Sequence, residues 1–159
     1  MIKGCRRGSE GTALVETALL LPLLVMLMLN AVNFGMYIYA WVTLDNTARA
    51  LLEYRVYTGV VLGFPSSPSV AQMQSLVDGE VSTLLNNGTV NWKICSNANG
   101  VSTFEGAGPV MTCDPDPVSP AQYRLYSAKV EYTFQPLFSG LTPLFAGPIS
   151  RQVSMRSMQ

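Results

Sequence analysis

Histidine is absent from all 159 residues, and with it goes the side chain that most often serves as general base or metal ligand near neutral pH. Charge is scarce as well. Asp, Glu, Lys and Arg make up 13% of the chain and cancel to zero, so no basic surplus exists to hold a nucleic acid. Cysteine occurs three times, as Cys5, Cys95 and Cys113; without histidine these supply neither a mixed zinc set nor a thiol–imidazole pair. No Walker, Rossmann, HExxH or G-x-S-x-G spacing is present. Asp114 and Asp116 alternate with Pro115 and Pro117, which suits a solvated loop, and the further oxygen ligands of a calcium site cannot be placed around them. These absences lead to the expectation of a protein that is not an enzyme and holds no cofactor and no metal.

What the chain has instead is one long apolar run. From Gly11 to Val42 the only charge is Glu16, and about 20 apolar residues suffice for a helix to cross a bilayer. Three basic residues, Lys3, Arg6 and Arg7, and one acidic residue, Glu10, precede the run, whereas the remainder carries 7 basic and 9 acidic residues. Lys and Arg concentrate on the cytoplasmic side of membrane helices. The expected topology therefore places the N-terminus inside and the C-terminal part across the membrane. The run is longer than a signal-peptide core and no A-x-A site follows it cleanly, which argues against a cleaved secretory signal. Arg6-Arg7 reads as positive-inside charge and not as a twin-arginine export signal. Cys95 and Cys113 then fall together in the exported part, where a pair can oxidise to a disulfide; two unpaired buried thiols are the other reading.

Gly11 and Glu16 set the run apart from a plain anchor. Glycine leaves the backbone open to a protease at the membrane face. An acid within an apolar helix costs up to about 2.5–3.5 kcal/mol near the bilayer centre. Cleavage after Gly11 would create a partner for it, the α-amine of Thr12, which carries positive charge near neutral pH and lies about one helical turn away. In a stack of related helices, Glu16 of one subunit would pair with that amine on the next. Solvation of Glu16 at headgroup depth is the alternative.

Gly11-Thr-Ala-Leu-Val-Glu16-Thr-Ala-Leu-Leu-Leu-Pro22, followed by Asn33-Phe-Gly35, resembles the TadE-like proteins, pseudopilins of the tight-adherence (Flp, type IVc) pilus system. The likeness rests on a G-x4-E segment, a proline six residues on, and a membrane helix closing in a polar-Phe-Gly turn. It extends to Val130-Glu-Tyr-Thr-Phe134, through Pro136-Leu137 and Pro143-Leu144, to Ile149-Ser-Arg-Gln-Val-Ser-Met-Arg156. The resemblance implies processing between Gly11 and Thr12 by a prepilin peptidase, with Glu16 needed for assembly. It further implies a bacterial inner-membrane location with a periplasmic C-terminal domain. As partners it implies other pilins or pseudopilins, inner-membrane platform proteins and a secretion ATPase.

Beyond Val42 the helical pattern continues through Tyr57, since Leu44, Ala48, Leu51, Leu52 and Val56 recur at steps of three and four. Pro22 is expected to kink or loosen the membrane part. Asn30 and Asn33 are read either as bonding to neighbouring helices or as satisfied by headgroups and water. Gly59 to Ser69 should turn the chain. A second helix is expected with Ser67 as N-cap and Pro68 in its first position, and with Val70, Met73, Val77, Val81 and Leu84 on one face, stopping at Gly88. Val90 to Cys95 and Val110 to Cys113 form short segments around a turn. Gln122 to Gln135 is the clearest strand, with Tyr126, Ala128, Val130, Tyr132 and Phe134 alternating with polar residues; Ile149, Arg151, Val153 and Met155 repeat the pattern near the end.

The expected class is α+β: a long N-terminal helix, a second short helix and a small antiparallel sheet, in a pilin-like arrangement. Residues 1–11 form a cytoplasmic basic leader, 12–42 the transmembrane helix and 43–159 the exported domain. The function expected is that of a minor pilin or pseudopilin in the assembly of a tight-adherence pilus. The alternatives are an uncleaved bitopic envelope protein whose exported domain binds other proteins, and a periplasmic enzyme with an unrecognised site.

Overall fold

The computed structural model describes residues 10–60, 68–84, 89–98, 101–113, 123–138 and 147–158. Helix α1 runs without interruption over Glu10–Val60, 51 residues, or about 76 Å at 1.5 Å per residue. Its two parts meet different surroundings. Large apolar side chains from Leu14 to Val32 are exposed, whereas Asn33, Ala40, Thr43, Leu44, Thr47, Ala48, Leu51 and Leu52 are buried in steps of three and four. The stripe expected beyond Val42 is thus the buried face, and it begins nine residues earlier, at Asn33. The hydroxyls of Thr43 and Thr47 are satisfied on this buried face by donating to the carbonyls of Tyr39 and Thr43, at 2.9 and 2.8 Å.

Asn33-Phe34-Gly35, the polar-Phe-Gly element of the resemblance, forms no turn and lies in the interior of the helix that was expected to continue to Tyr57. A mid-helix glycine costs only about 1 kcal/mol relative to alanine, and the packing of the buried stripe on both sides of it outweighs that. Pro22 also lies within α1.

Helix α2 spans Val70–Val81, with Ser69 as N-cap. The start expected at Pro68 after Ser67 is therefore displaced; Ser67 lies outside the described residues, as does Gly88. The reason is a capping box: Ser69 Oγ accepts from the Gln72 backbone N–H at 3.3 Å, and Gln72 Oε1 accepts from the Ser69 N–H at 2.9 Å. Met73 and Val77 are buried, with Leu76, Val81 and Leu84 partly so, while Val70 is exposed.

Four antiparallel strands follow, β1 (Val90–Ala98), β2 (Val101–Glu105), β3 (Tyr123–Phe134) and β4 (Gly147–Met158), in the order β2-β1-β3-β4. Strand β2 was not among the expected elements, and Val110 to Cys113 is not a strand. The sequence signal for β2 is Asn99-Gly100 between Ala98 and Val101, the strongest short hairpin signal. Residues 99 and 100 lie outside the described residues, and so does the Asp114–Pro117 stretch.

One face of the sheet presents Trp92, Ile94, Ala128, Val130, Tyr132, Phe134 and Ile149 to α1 and α2, and these form the core. Burial of each large apolar side chain contributes about 1.5–3 kcal/mol. The indole N–H of Trp92 donates to Gln74 Oε1 at 2.6 Å, which leaves no unpaired donor on this large side chain. On the other face, residues 110–113 lie across the sheet. Met111 is buried there, Lys129 donates to the Val110 carbonyl at 3.1 Å, and Cys113 is joined to Cys95 with Cα atoms 5.8 Å apart. Gly108 permits the close approach of the chain just before them, because a Cβ at that position would lie 2.4 Å from the Trp92 backbone. The architecture is α+β: two helices against one antiparallel sheet.

Strand β3 runs opposite to α1. Asn33 meets Phe138, Tyr37 packs edge-on to Phe134 at 5.5 Å, and Arg55 lies over Tyr126 at 5.9 Å. The C-terminal end of β3 is therefore the end nearest the exposed part of the helix.

Candidate anchoring and assembly segment

The residues singled out at the start of the apolar run all lie on the first turns of α1. Gly11 is exposed, and a Cβ there would meet no atom within 4 Å. The Gly11–Thr12 peptide bond lies in the first helical turn, whose N–H groups have no intrahelical partners. Unwinding it to fit a protease cleft breaks few hydrogen bonds. The basic leader, 1–9, lies outside the described residues.

Glu16 is exposed, and it makes no hydrogen bond or ion pair among the described residues. Around it are Leu14, Val15, Leu19 and Leu20, all exposed. Its Cα lies about 6 Å along the helix axis from that of Thr12. Two other polar side chains of this stretch are satisfied within the helix: Thr17 donates to the Ala13 carbonyl at 2.8 Å and Asn30 to the Met26 carbonyl at 2.9 Å. Glu16 thus stands apart as a charge offered outward from an apolar rod.

From Ala13 to Val32 the helix presents 20 residues, about 30 Å, the thickness of a bilayer's hydrocarbon core. Together with the continuation to Tyr57 this is one helix long and apolar enough to cross a membrane. Its apolar residues point in every direction, which a helix does when lipid or other helices surround it.

The asparagines differ from both readings made for them. Asn30 turns back on its own helix. Asn33 is fully buried and bonds within its own chain: Nδ2 donates to the Phe138 carbonyl and Oδ1 accepts from the Phe138 N–H, both at 3.4 Å. Just beyond lies an apolar cleft of about 180 Å³ between Met36, Tyr39 and Ala40 of α1, Leu84, and Tyr132 and Phe134 of β3. Arg151 of β4 stacks on Trp41 of α1 with its guanidinium carbon 3.4 Å from the ring centre.

Residues 11–51 match the model of the TadE-like protein family. The TadE-like segment begins at Gly11, takes in Glu16 and the whole exposed stretch, and ends at Leu51 within the core. It is one continuous piece of α1. No curated protein and no solved structure matches the chain. The C-terminal stretch that carries the rest of the resemblance, Val130 to Arg156, lies outside the matched residues.

The structure keeps Gly11, Thr12 and Glu16 together and places Cys95 and Cys113 elsewhere, on the sheet face turned away from α1. Sequence reasoning did not find the tie between Asn33 and Phe138, nor the ion pair of Arg55 with Glu105 at 2.6 Å. A polar residue in an apolar run marked Asn33, but nothing local marks a partner 105 residues away.

Proposed function

We propose that this chain is a minor pilin or pseudopilin of a tight-adherence pilus. In this reading it is anchored in the bacterial inner membrane by α1, with a cytoplasmic leader and a periplasmic domain. A prepilin peptidase cuts between Gly11 and Thr12. The mature helix then joins a bundle of related helices, served by inner-membrane platform proteins and a secretion ATPase. The chain's role is structural: it is a substrate of the peptidase and not a catalyst.

The observation that carries the reading is the TadE-like segment itself, 11–51. Within it an outward-facing acid sits five residues after an uncluttered glycine, on a helix whose exposed apolar length equals a bilayer core. The described core residues begin at Ala40, well beyond the cut. The new amine at Thr12 supplies the opposite charge that Glu16 lacks among the described residues. A carboxylate and an amine about one turn apart on each helix can pair between neighbours offset along the axis, and the desolvation cost of Glu16 falls when the pair forms. Pairing sets register between otherwise featureless apolar rods.

The test is Glu16→Leu in cells that make the pilus. Insertion and cleavage are expected to continue while pilus assembly is lost. Normal piliation by this variant would show that the charge is not an assembly contact.

A further inference from the structure

We infer that the membrane-proximal end of the sheet, Leu137 and Phe138 after β3, is seated in the lipid interface, so that the domain rests in the bilayer surface instead of standing clear of it. The inference depends on the reading of α1 as a membrane anchor.

Three observations lead to it. First, the helix carries its own depth markers. Glu16 is the one charge on the exposed stretch, and Tyr39 and Trp41 are exposed aromatic residues of the kind that settle at the membrane–water interface. Glu16 and Tyr39 are 23 residues apart, about 34 Å along the axis, against a hydrocarbon core of about 30 Å. The exposed stretch 13–32 fills such a core, which sets Asn33 at its edge and the aromatic residues in the headgroup region just beyond.

Second, the domain meets the helix below the upper marker. Asn33 is six residues before Tyr39, about 9 Å closer to the bilayer centre, and it is hydrogen-bonded to Phe138. Residue 138 and its neighbour Leu137 are thereby held beneath the level of the aromatic group. Leu137 is 53% exposed, and on the helix Phe34 and Ile38 are exposed as well.

Third, the backbone there is provided for as lipid requires. Irregular chain at membrane depth persists only when its N–H and C=O groups are paired inside the protein. The amide of Asn33 accepts from the N–H and donates to the C=O of Phe138. One fully buried side chain thus satisfies both polar groups of that residue.

The occupant of this surface is accordingly phospholipid, continuous with the lipid around α1. The test uses the full-length chain in phosphatidylcholine–phosphatidylglycerol vesicles, with Cys5→Ser to remove the leader thiol. A single cysteine is placed at Leu137, at Ser102 on β2 toward the far end of the sheet, or at Leu24 within the exposed helix, and is labelled with a fluorophore without reductant. Retention of the Cys95–Cys113 bond, read from gel mobility, reports folding of each variant. A label at 137 is expected to be quenched several-fold more by lipid-borne nitroxide than a label at 102, and to be protected from iodide in water. Equal iodide quenching at 137 and 102 overturns the inference. So does protection from iodide without lipid quenching, which would mean that protein covers the site. If the label at 24 is quenched by lipid and that at 137 is not, only the seating fails; if neither is quenched, the anchor reading fails with it.

Discussion

Replacing Asn33 with Ala separates the tie between helix and sheet from ordinary helix chemistry. Asn33 is fully buried and holds Phe138 through two hydrogen bonds of 3.4 Å. A typical hydrogen bond contributes about 0.5–1.5 kcal/mol net, and bonds this long belong at the weak end of the range, so the pair contributes about 1 kcal/mol. Alanine leaves the Phe138 N–H and C=O without these partners in a half-buried place, at about 1–3 kcal/mol for a group left unsatisfied. These are two measures of the same loss, and the expected destabilisation is about 1–3 kcal/mol. Urea unfolding of the full chain in detergent, followed by the fluorescence of Trp41 and Trp92, measures it. Asn30→Ala is the paired control, because Asn30 bonds only to the Met26 carbonyl of its own helix; a surface change of that kind stays within about 0.5 kcal/mol. Equal midpoints for the two variants would refute the placement of Asn33 at the joint between anchor and domain.

Two further changes probe the domain. Replacing Cys95 and Cys113 together by Ser opens a link of 18 residues separation and should lower stability by about 3 kcal/mol on the chain-entropy view, read from the same urea curves; an unchanged midpoint would show that residues 110–113 are held without the bond. Burial pushes the Tyr132 phenol above its ordinary value of 10.0. Its proton is therefore lost more readily in the unfolded chain, so its contribution to stability is intact below pH 10 and declines as pH rises through the higher folded value. Tyr132→Phe should flatten that alkaline decline, and an identical alkaline slope in both proteins would contradict it.

Which features could be read from sequence follows from the range of the interactions that fix them. The apolar run and the Leu44–Leu52 stripe are local periodicities, and they gave α1 with its buried face. The alternation of Tyr126 to Phe134 gave β3 in the same way. The N-cap of α2 was equally local, but the Ser-x-x-Gln pairing of Ser69 with Gln72 competes with the more familiar serine–proline pattern at Ser67-Pro68. Strand β2 escaped because most of its side chains are exposed, which removes the half-apolar alternation, and only Asn99-Gly100 announces it. Val110 to Cys113 has the composition of a strand yet pairs with none, since it is held across the sheet by Cys95 and the Lys129 contact. The continuation of α1 to Tyr57 was legible from the Leu44–Leu52 stripe, although Asn33-Phe34-Gly35 breaks the apolar pattern locally and the packing that holds the helix there comes from strands a hundred residues later. Of the assembly segment, Gly11, Thr12 and Glu16 were legible as a motif. The junction that joins this segment to the domain was not.

The most direct measurement is the intact mass of the protein taken from its native membrane. A pseudopilin processed after Gly11 yields a chain that begins at Thr12, with the leader of residues 1–11 missing. Recovery of the full chain beginning at Met1, in cells whose prepilin peptidase is active, would contradict it.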